Sequence, residues 1–172
     1  MSTCKVIVMG VSGCGKSLIG TRLAERLGVP FFDADDFHSP ANVAKMASGV
    51  PLTDADRSGW LAELAERVRV EQGGLVLACS ALKRAYRERL RAGNPSLQFV
   101  YLKGDMETIW SRHCSREDHY FNGRAMLESQ FLTLQEPDPE EGAITVDVAE
   151  QPHRIVARCL SALGAPGRTR ES

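Results

Sequence analysis

No stretch of this sequence holds the roughly 20 consecutive apolar residues that span a bilayer, so no membrane segment is expected. The first residues, MSTCKVIVMG, carry one lysine and an apolar run of four, too short for the core of a secretory signal. An excess of one charge is also missing. The 21 basic side chains face 22 acidic ones, and the net charge of −1 gives no electrostatic reason to expect nucleic acid or an anionic membrane as partner. The five cysteines (Cys4, Cys14, Cys79, Cys114 and Cys159) form no CxxC pair and have no Cys/His spacing suited to zinc. There is no internal repeat and no low-complexity segment. What remains is an ordinary soluble composition, 43% hydrophobic and 25% charged over 172 residues. That is enough chain for one domain with its own core. The expectation is a single domain over 1–172, cytoplasmic, with reduced cysteines.

Short apolar runs alternate with helical patterns. KVIVM (5–9), FFDA (31–34), LVLACS (75–80), LQFVYL (97–102) and AITVDV (143–148) read as strands. Ile19, Leu23 and Leu27 stripe a helix over 16–27, which Gly28 and Pro30 stop. Further helices are expected around Trp60–Val68, over 83–91, over 105–114, and on the stripe Ile155, Val156, Cys159, Leu160, Leu163. Continuously apolar strands separated by helices predict parallel pairing with both faces covered. The fold class is therefore α/β, a doubly wound five-stranded parallel sheet with helices on both faces. Ligands in such sheets sit at the carboxyl ends of the strands. The polar run near 112–125 has no clean period and is expected to be a mobile lid. The tail over 165–172 is expected to be flexible.

GVSGCGKS, Gly10 to Ser17, fits G-x-x-x-x-G-K-[ST] and lies between the first strand and the first helix. In that context Gly10, Val11, Ser12, Gly13, Cys14 and Gly15 turn backbone N–H groups around a phosphate chain. Lys16 reaches the β- and γ-phosphates, and the Ser17 hydroxyl binds Mg²⁺. The helix that follows aims its positive end at the anion. An N/T-K-x-D guanine reader is absent. DRSG (56–59) matches a switch pattern in letters but follows no apolar strand, and reads as coincidence. A small-molecule kinase using ATP fits better than a switch or a motor.

The run FFDADDFH then acquires a purpose. Asp33 and Asp35, two apart on an extended segment, would share a side. Asp33 is placed to hold Mg²⁺ through water, and Asp35 to orient or deprotonate an attacking hydroxyl, although turn and cap roles suit the same residues. Asp36 would face away. His38 is open between substrate contact and turn packing.

MGVSGCGKS (9–17), DADDFHSPANVAKMASGVPLTDADRSGWL (33–61), CSALKRAYRERLR (79–91), NPSLQFVYLKGD (94–105) and HYFNGRAMLESQFLTLQEP (119–137) together resemble the gluconate kinases of the shikimate kinase-like group. The resemblance covers most of the chain. It implies transfer of the ATP γ-phosphoryl group to the 6-hydroxyl of D-gluconate, giving 6-phospho-D-gluconate, and commonly a homodimer. A linear polyol acid needs cations at one end and acceptors along its length. Arg57, Lys83, Arg87 and Lys45 supply the cations, each with a solvated surface charge as the competing role. Ser80 and Tyr86 are hydroxyl candidates, Tyr86 equally one for packing. Arg112 and Arg116 would fold over the phosphates from the lid. The loop over 148–152 suits the adenine base. Other acceptors, such as shikimate, a nucleoside monophosphate or adenylyl sulfate, and a non-catalytic nucleotide-binding module are the alternatives.

Overall fold

β1 (Lys5–Met9) is the central strand of a five-stranded, all-parallel sheet in a computed structural model that describes residues 4–11, 13–50, 52–114 and 123–164. It pairs with β3 (Leu75–Ala78) on one side and β4 (Leu97–Lys103) on the other. β2 (Phe31–Asp33) and β5 (Ile144–Asp147) form the two edges, giving the order β2-β3-β1-β4-β5. The register sets Val8 beside Ala78 and Val100, so the strands end along one rim.

Side chains of β1 alternate between two apolar layers, as the pleat requires. Val6 and Val8 pack with α1 (Lys16–Leu27), α5 (Met106–Cys114), α6 (Gly123–Thr133) and α7 (Pro152–Ala162), through Ile19, Leu23, Ile109, Leu127 and Ile155. Ile7 and Met9 pack with α3 (Asp54–Val70) and α4 (Arg84–Arg91), through Trp60, Leu61, Leu64, Tyr86 and Leu90. The doubly wound sheet expected from the sequence is the one observed. α1 starts at Lys16, directly after the glycine-rich turn, and ends where Gly28 takes a left-handed conformation at φ 73°. Among the described residues no helix is long and apolar enough to cross a membrane.

Three elements depart from the sequence reading. FFDA is extended only to Asp33; Ala34–Phe37 turn as one short 3-10 segment. α2 (Pro40–Ala47) was not expected. Of its residues only Asn42 is buried, so it has no apolar core stripe for periodicity to detect. α6 begins at Gly123, inside the segment expected to be a lid, and α5 reaches Cys114. The remainder of that segment, and the tail over 165–172, lie outside the described residues.

Candidate active site

The turn after β1 is built around Gly10. Its φ is 148°, and a Cβ there would lie 2.7 Å from Cys14 Sγ and 3.0 Å from the Leu102 carbonyl oxygen. Only glycine lets the chain pass this close to β4. Gly10 N–H donates to the Ser80 carbonyl (3.3 Å), joining this turn to the loop after β3. Gly13 and Gly15 also have positive φ, at 83° and 99°. Cys14 is buried behind the turn, and burial pushes its thiol pKa up. Val11 is buried too, and its carbonyl accepts from Lys16 Nζ at 3.0 Å. The lysine thus folds across its own loop instead of extending into bulk water. Ser12 lies outside the described residues.

Ser17 Oγ donates to Asp33 Oδ2 at 3.5 Å, and the other oxygen of Asp33 accepts the Asp35 N–H at 2.9 Å. The two acids come together through a turn and not through an extended pair: Asp33 caps the 3-10 segment that carries Asp35. Cap and site roles therefore coincide in Asp33. Although 82% of the Asp35 side chain is exposed, partial desolvation, then the Asp33 charge, raises its pKa above the ordinary carboxylate value. Asp36 is exposed.

His38 stacks on Trp60, with ring centroids 4.2 Å apart, and its Nε2 lies 4.0 Å from Asp35 Oδ1. Desolvation lowers its pKa, so the ring is neutral at pH 7. Trp60 Nε1 donates to the Ala34 carbonyl (2.7 Å), tying α3 to the acidic turn. DRSG lies in the first turns of α3. There Asp56 closes a capping box with Thr53, a helix-start role with no bearing on a nucleotide switch. Lys45 Nζ bonds that same Asp56 at 2.7 Å.

Arg57 Nη1 donates to the Leu52 carbonyl (3.1 Å) and to Tyr86 Oη (3.1 Å). Lys83 Nζ pairs with Asp54 at 3.2 Å. Arg87 has a different place. Its side chain is 0% exposed, its Nε and Nη2 hold Glu141 at 2.7 and 3.0 Å, and it donates to the carbonyls of Ala81, Leu82 and Gln135. No surface or donor remains for a ligand, so the expected substrate contact is corrected to a structural one. Arg87 clamps the loop carrying Ser80 and Lys83, where Ala81 sits at the strained φ of 44°.

Replacing Arg87 by methionine leaves Glu141 buried with only Arg91 as partner (2.9 Å). The expected loss is about 3–5 kcal/mol, or roughly 10 °C in melting temperature for a chain of this size, read by thermal unfolding. Acid should act through the same pair. The arginine hydrogen bonds hold Glu141 at a pKa of about 2, below its unfolded value. Its contribution to stability is complete above the unfolded carboxylate pKa and is lost as pH falls towards 2.

Gly104, Asp105, Thr108, Ala149 and Glu150 border an open cavity of about 730 Å³ beyond β4 and β5. It adjoins the loop over 148–152 expected to meet a base. The side chain of Arg112 and all of Arg116 lie outside the described residues. The residues that sequence reasoning passed over are Asp54 and Trp60. Asp54 was hidden among the charges of a helix start, and Trp60 was taken only as core.

The shikimate kinase family model matches residues 12–163. The thermoresistant gluconokinase of Escherichia coli is 45% identical over 162 residues, covering 91% of each chain. The gluconokinase of Gluconobacter oxydans is 45% identical over 158 residues, covering 90% of this chain and 88% of that one. A crystal structure of a gluconokinase from Sinorhizobium meliloti superposes with a TM-score of 0.86 at 42% identity, covering 93% of this chain and 91% of that one.

Proposed function

The chain belongs to the shikimate kinase family and, within it, to the gluconokinases, and from that membership we propose that it transfers the γ-phosphoryl group of ATP to the 6-hydroxyl of D-gluconate. The observation that carries this reading is the joining of Ser17, Asp33 and Asp35 at the mouth of the glycine-rich turn, with hydrogen bonds of 3.5 and 2.9 Å.

Residues 10–17 wrap the triphosphate with backbone N–H groups, and Lys16 leaves the Val11 carbonyl to pair with the β- and γ-phosphates. The Ser17 hydroxyl and the Asp33 carboxylate form an all-oxygen pair suited to Mg²⁺, which binds through few carboxylates together with substrate phosphates. When bound, that ion neutralises phosphate charge. Asp35 accepts a hydrogen bond from the 6-hydroxyl and aims its oxygen at the γ-phosphorus. The new O–P bond forms as the bond to the bridging oxygen of ADP breaks, and the hydroxyl proton leaves to Asp35 and then to solvent. Ser80 lines the path of the polyol and Arg57 and Lys83 face its acid end, whereas His38, its side chain 3% exposed and stacked on Trp60, packs the turn and does not meet substrate. Arg112 and Arg116 supply further positive charge over the phosphates. The base lies against the loop over 148–152. The protein works in the cytoplasm as one domain, assembled as a homodimer.

An ADP-release assay over D-gluconate, shikimate, 5-keto-gluconate, glucose and AMP tests the substrate. Gluconate should stand well above the others. ADP release with another acceptor and none with gluconate would overturn the assignment.

A further inference from the structure

Resting on the assignment of Asp35 as the group that orients the acceptor hydroxyl, we propose that His38 is its positioning residue. Asn42 fixes the imidazole proton on Nε2, and that N–H faces Asp35 Oδ1, so that Oδ2 is left for the hydroxyl.

The place of the proton follows from a backbone carbonyl. Asn42 is 5% exposed and is the buried residue on which α2 rests. Its side-chain amide meets the Asp56 carbonyl oxygen at 3.0 Å. A carbonyl only accepts, so the atom facing it is the amide nitrogen and not the amide oxygen. The same nitrogen lies 3.3 Å from His38 Nδ1. Nδ1 therefore accepts through its lone pair, and the single proton of the neutral ring sits on Nε2. A charged ring would set N–H against N–H across this contact. Burial acts in the same direction: desolvation, opposed by Asp35 and aided by Arg57, lowers the imidazole pKa.

The ring is held from two helices. α2 supplies Asn42, and α3 supplies the Asp56 carbonyl and the Trp60 indole, on which the imidazole stacks at an interplanar angle of 13°. A ring flip would break the Asn42 bond. With its side chain 3% exposed, His38 acts on the chemistry through Asp35, whose Oδ1 is 4.0 Å from Nε2. That is longer than a hydrogen bond. But the aspartate side chain is 82% exposed and free to turn, and catalytic hydrogen bonds that are long in a ligand-free enzyme tighten in its complexes. The other charges acting on Asp35 are those of Asp33, Lys16 and Asp36. A cation in place of the imidazole would cancel the carboxylate charge. A neutral donor orients the carboxylate and leaves that charge for the hydroxyl. This also gives a purpose to α2, a helix that buries one amide and no apolar stripe.

Two measurements test the proposal. Nitrogen–proton NMR of the ligand-free protein should show His38 neutral at pH 7 with its proton on Nε2, and Asp35→Asn should move the Nε2 resonance. A proton on Nδ1, or an Nε2 resonance blind to Asp35→Asn, would overturn it. In steady-state kinetics His38→Phe, which keeps a stacking ring and loses the donor, should lower kcat about 10- to 100-fold, the scale of one hydrogen bond to a charged group. KM for ATP and for gluconate should stay within about 3-fold. His38→Gln, which can place an amide N–H near the Nε2 position, should recover most of the loss. Added to Asp35→Asn, His38→Phe should change the residual rate less than about 2-fold, because its partner is already gone. An equal loss in both backgrounds would make His38 a packing residue only. Melting curves check folding, and the wild-type tautomer decides if His38→Phe does not fold. Wild-type enzyme inactive on gluconate would defeat the underlying reading; an active wild type with the wrong tautomer, or with additive losses, would defeat this inference alone.

Discussion

Asp35→Asn should retain nucleotide binding and lose turnover by roughly 10²–10⁴-fold, the range of a positioned proton acceptor. The change keeps size and shape. Asp35 contributes its backbone N–H to Asp33, and that hydrogen bond survives in asparagine. The side chain is 82% exposed, so folding should not suffer. What disappears is the negative charge proposed to orient the acceptor hydroxyl. ATP affinity measured by calorimetry should change by less than about 3-fold, within the range of surface electrostatics, while kcat collapses. The pH profile gives a second signature. Desolvation and the Asp33 charge raise the Asp35 pKa. Because the ionised form is the active one, rate is lost as pH falls through that raised value. The acid limb of kcat/KM should therefore lie above that of an ordinary carboxylate and be missing in the variant. Full activity in Asp35→Asn would remove this residue from the chemistry.

Lys16→Ala should fail earlier, with ATP binding itself weakened and overall activity reduced by about 10³-fold or more, as expected when a cation on the transferring phosphate is removed. In the structure the ammonium group rests on the Val11 carbonyl at 3.0 Å, a contact within its own loop that costs little to exchange for phosphate. The lysine is not a structural pillar: it is partly exposed and holds no distant element. Its loss should leave the melting temperature of the ligand-free protein within a few degrees of wild type. Stabilisation by added ATP should shrink, since binding to the native state is what raises melting temperature. Lys16→Ala with wild-type nucleotide affinity and turnover would contradict the phosphate-grip role.

How much of this was legible beforehand depends on the kind of signal. β1, the glycine-rich turn and α1 were readable because an apolar run, positive-φ glycines and a four-residue apolar stripe each leave a local mark. The other strands were readable within a residue or two for the same reason. α2 was not, since it is an exposed helix that rests on Asn42 and packs no core stripe. Asp33 and Asp35 read as sharing a side of an extended segment. Instead Asp33 caps a 3-10 turn that carries Asp35, and the Trp60 indole, donating to the Ala34 carbonyl from 26 residues away, ties α3 to that turn.

Basic residues were the hardest to assign. Arg57, Lys83 and Arg87 look alike in sequence, and α4 reads as a charged surface helix. Only the fold brings Glu141 against Arg87 across 54 residues and turns one of those charges into a buried clamp. Asp54 escaped notice for the complementary reason. It sits one residue past a capping threonine, where an acid usually serves the helix dipole. Its short bond to Tyr86 exists only because α4 packs on α3.

The central claim is that the acids beside the glycine-rich turn direct one particular hydroxyl at the terminal phosphorus. Incubation with ATP and D-gluconate, followed by two-dimensional phosphorus–proton NMR of the product, tests it most directly. The account predicts a single phosphate ester whose phosphorus couples to the two protons on carbon 6, formed together with ADP in equal amount. Phosphate on any other carbon, or ADP released with inorganic phosphate alone, would contradict it.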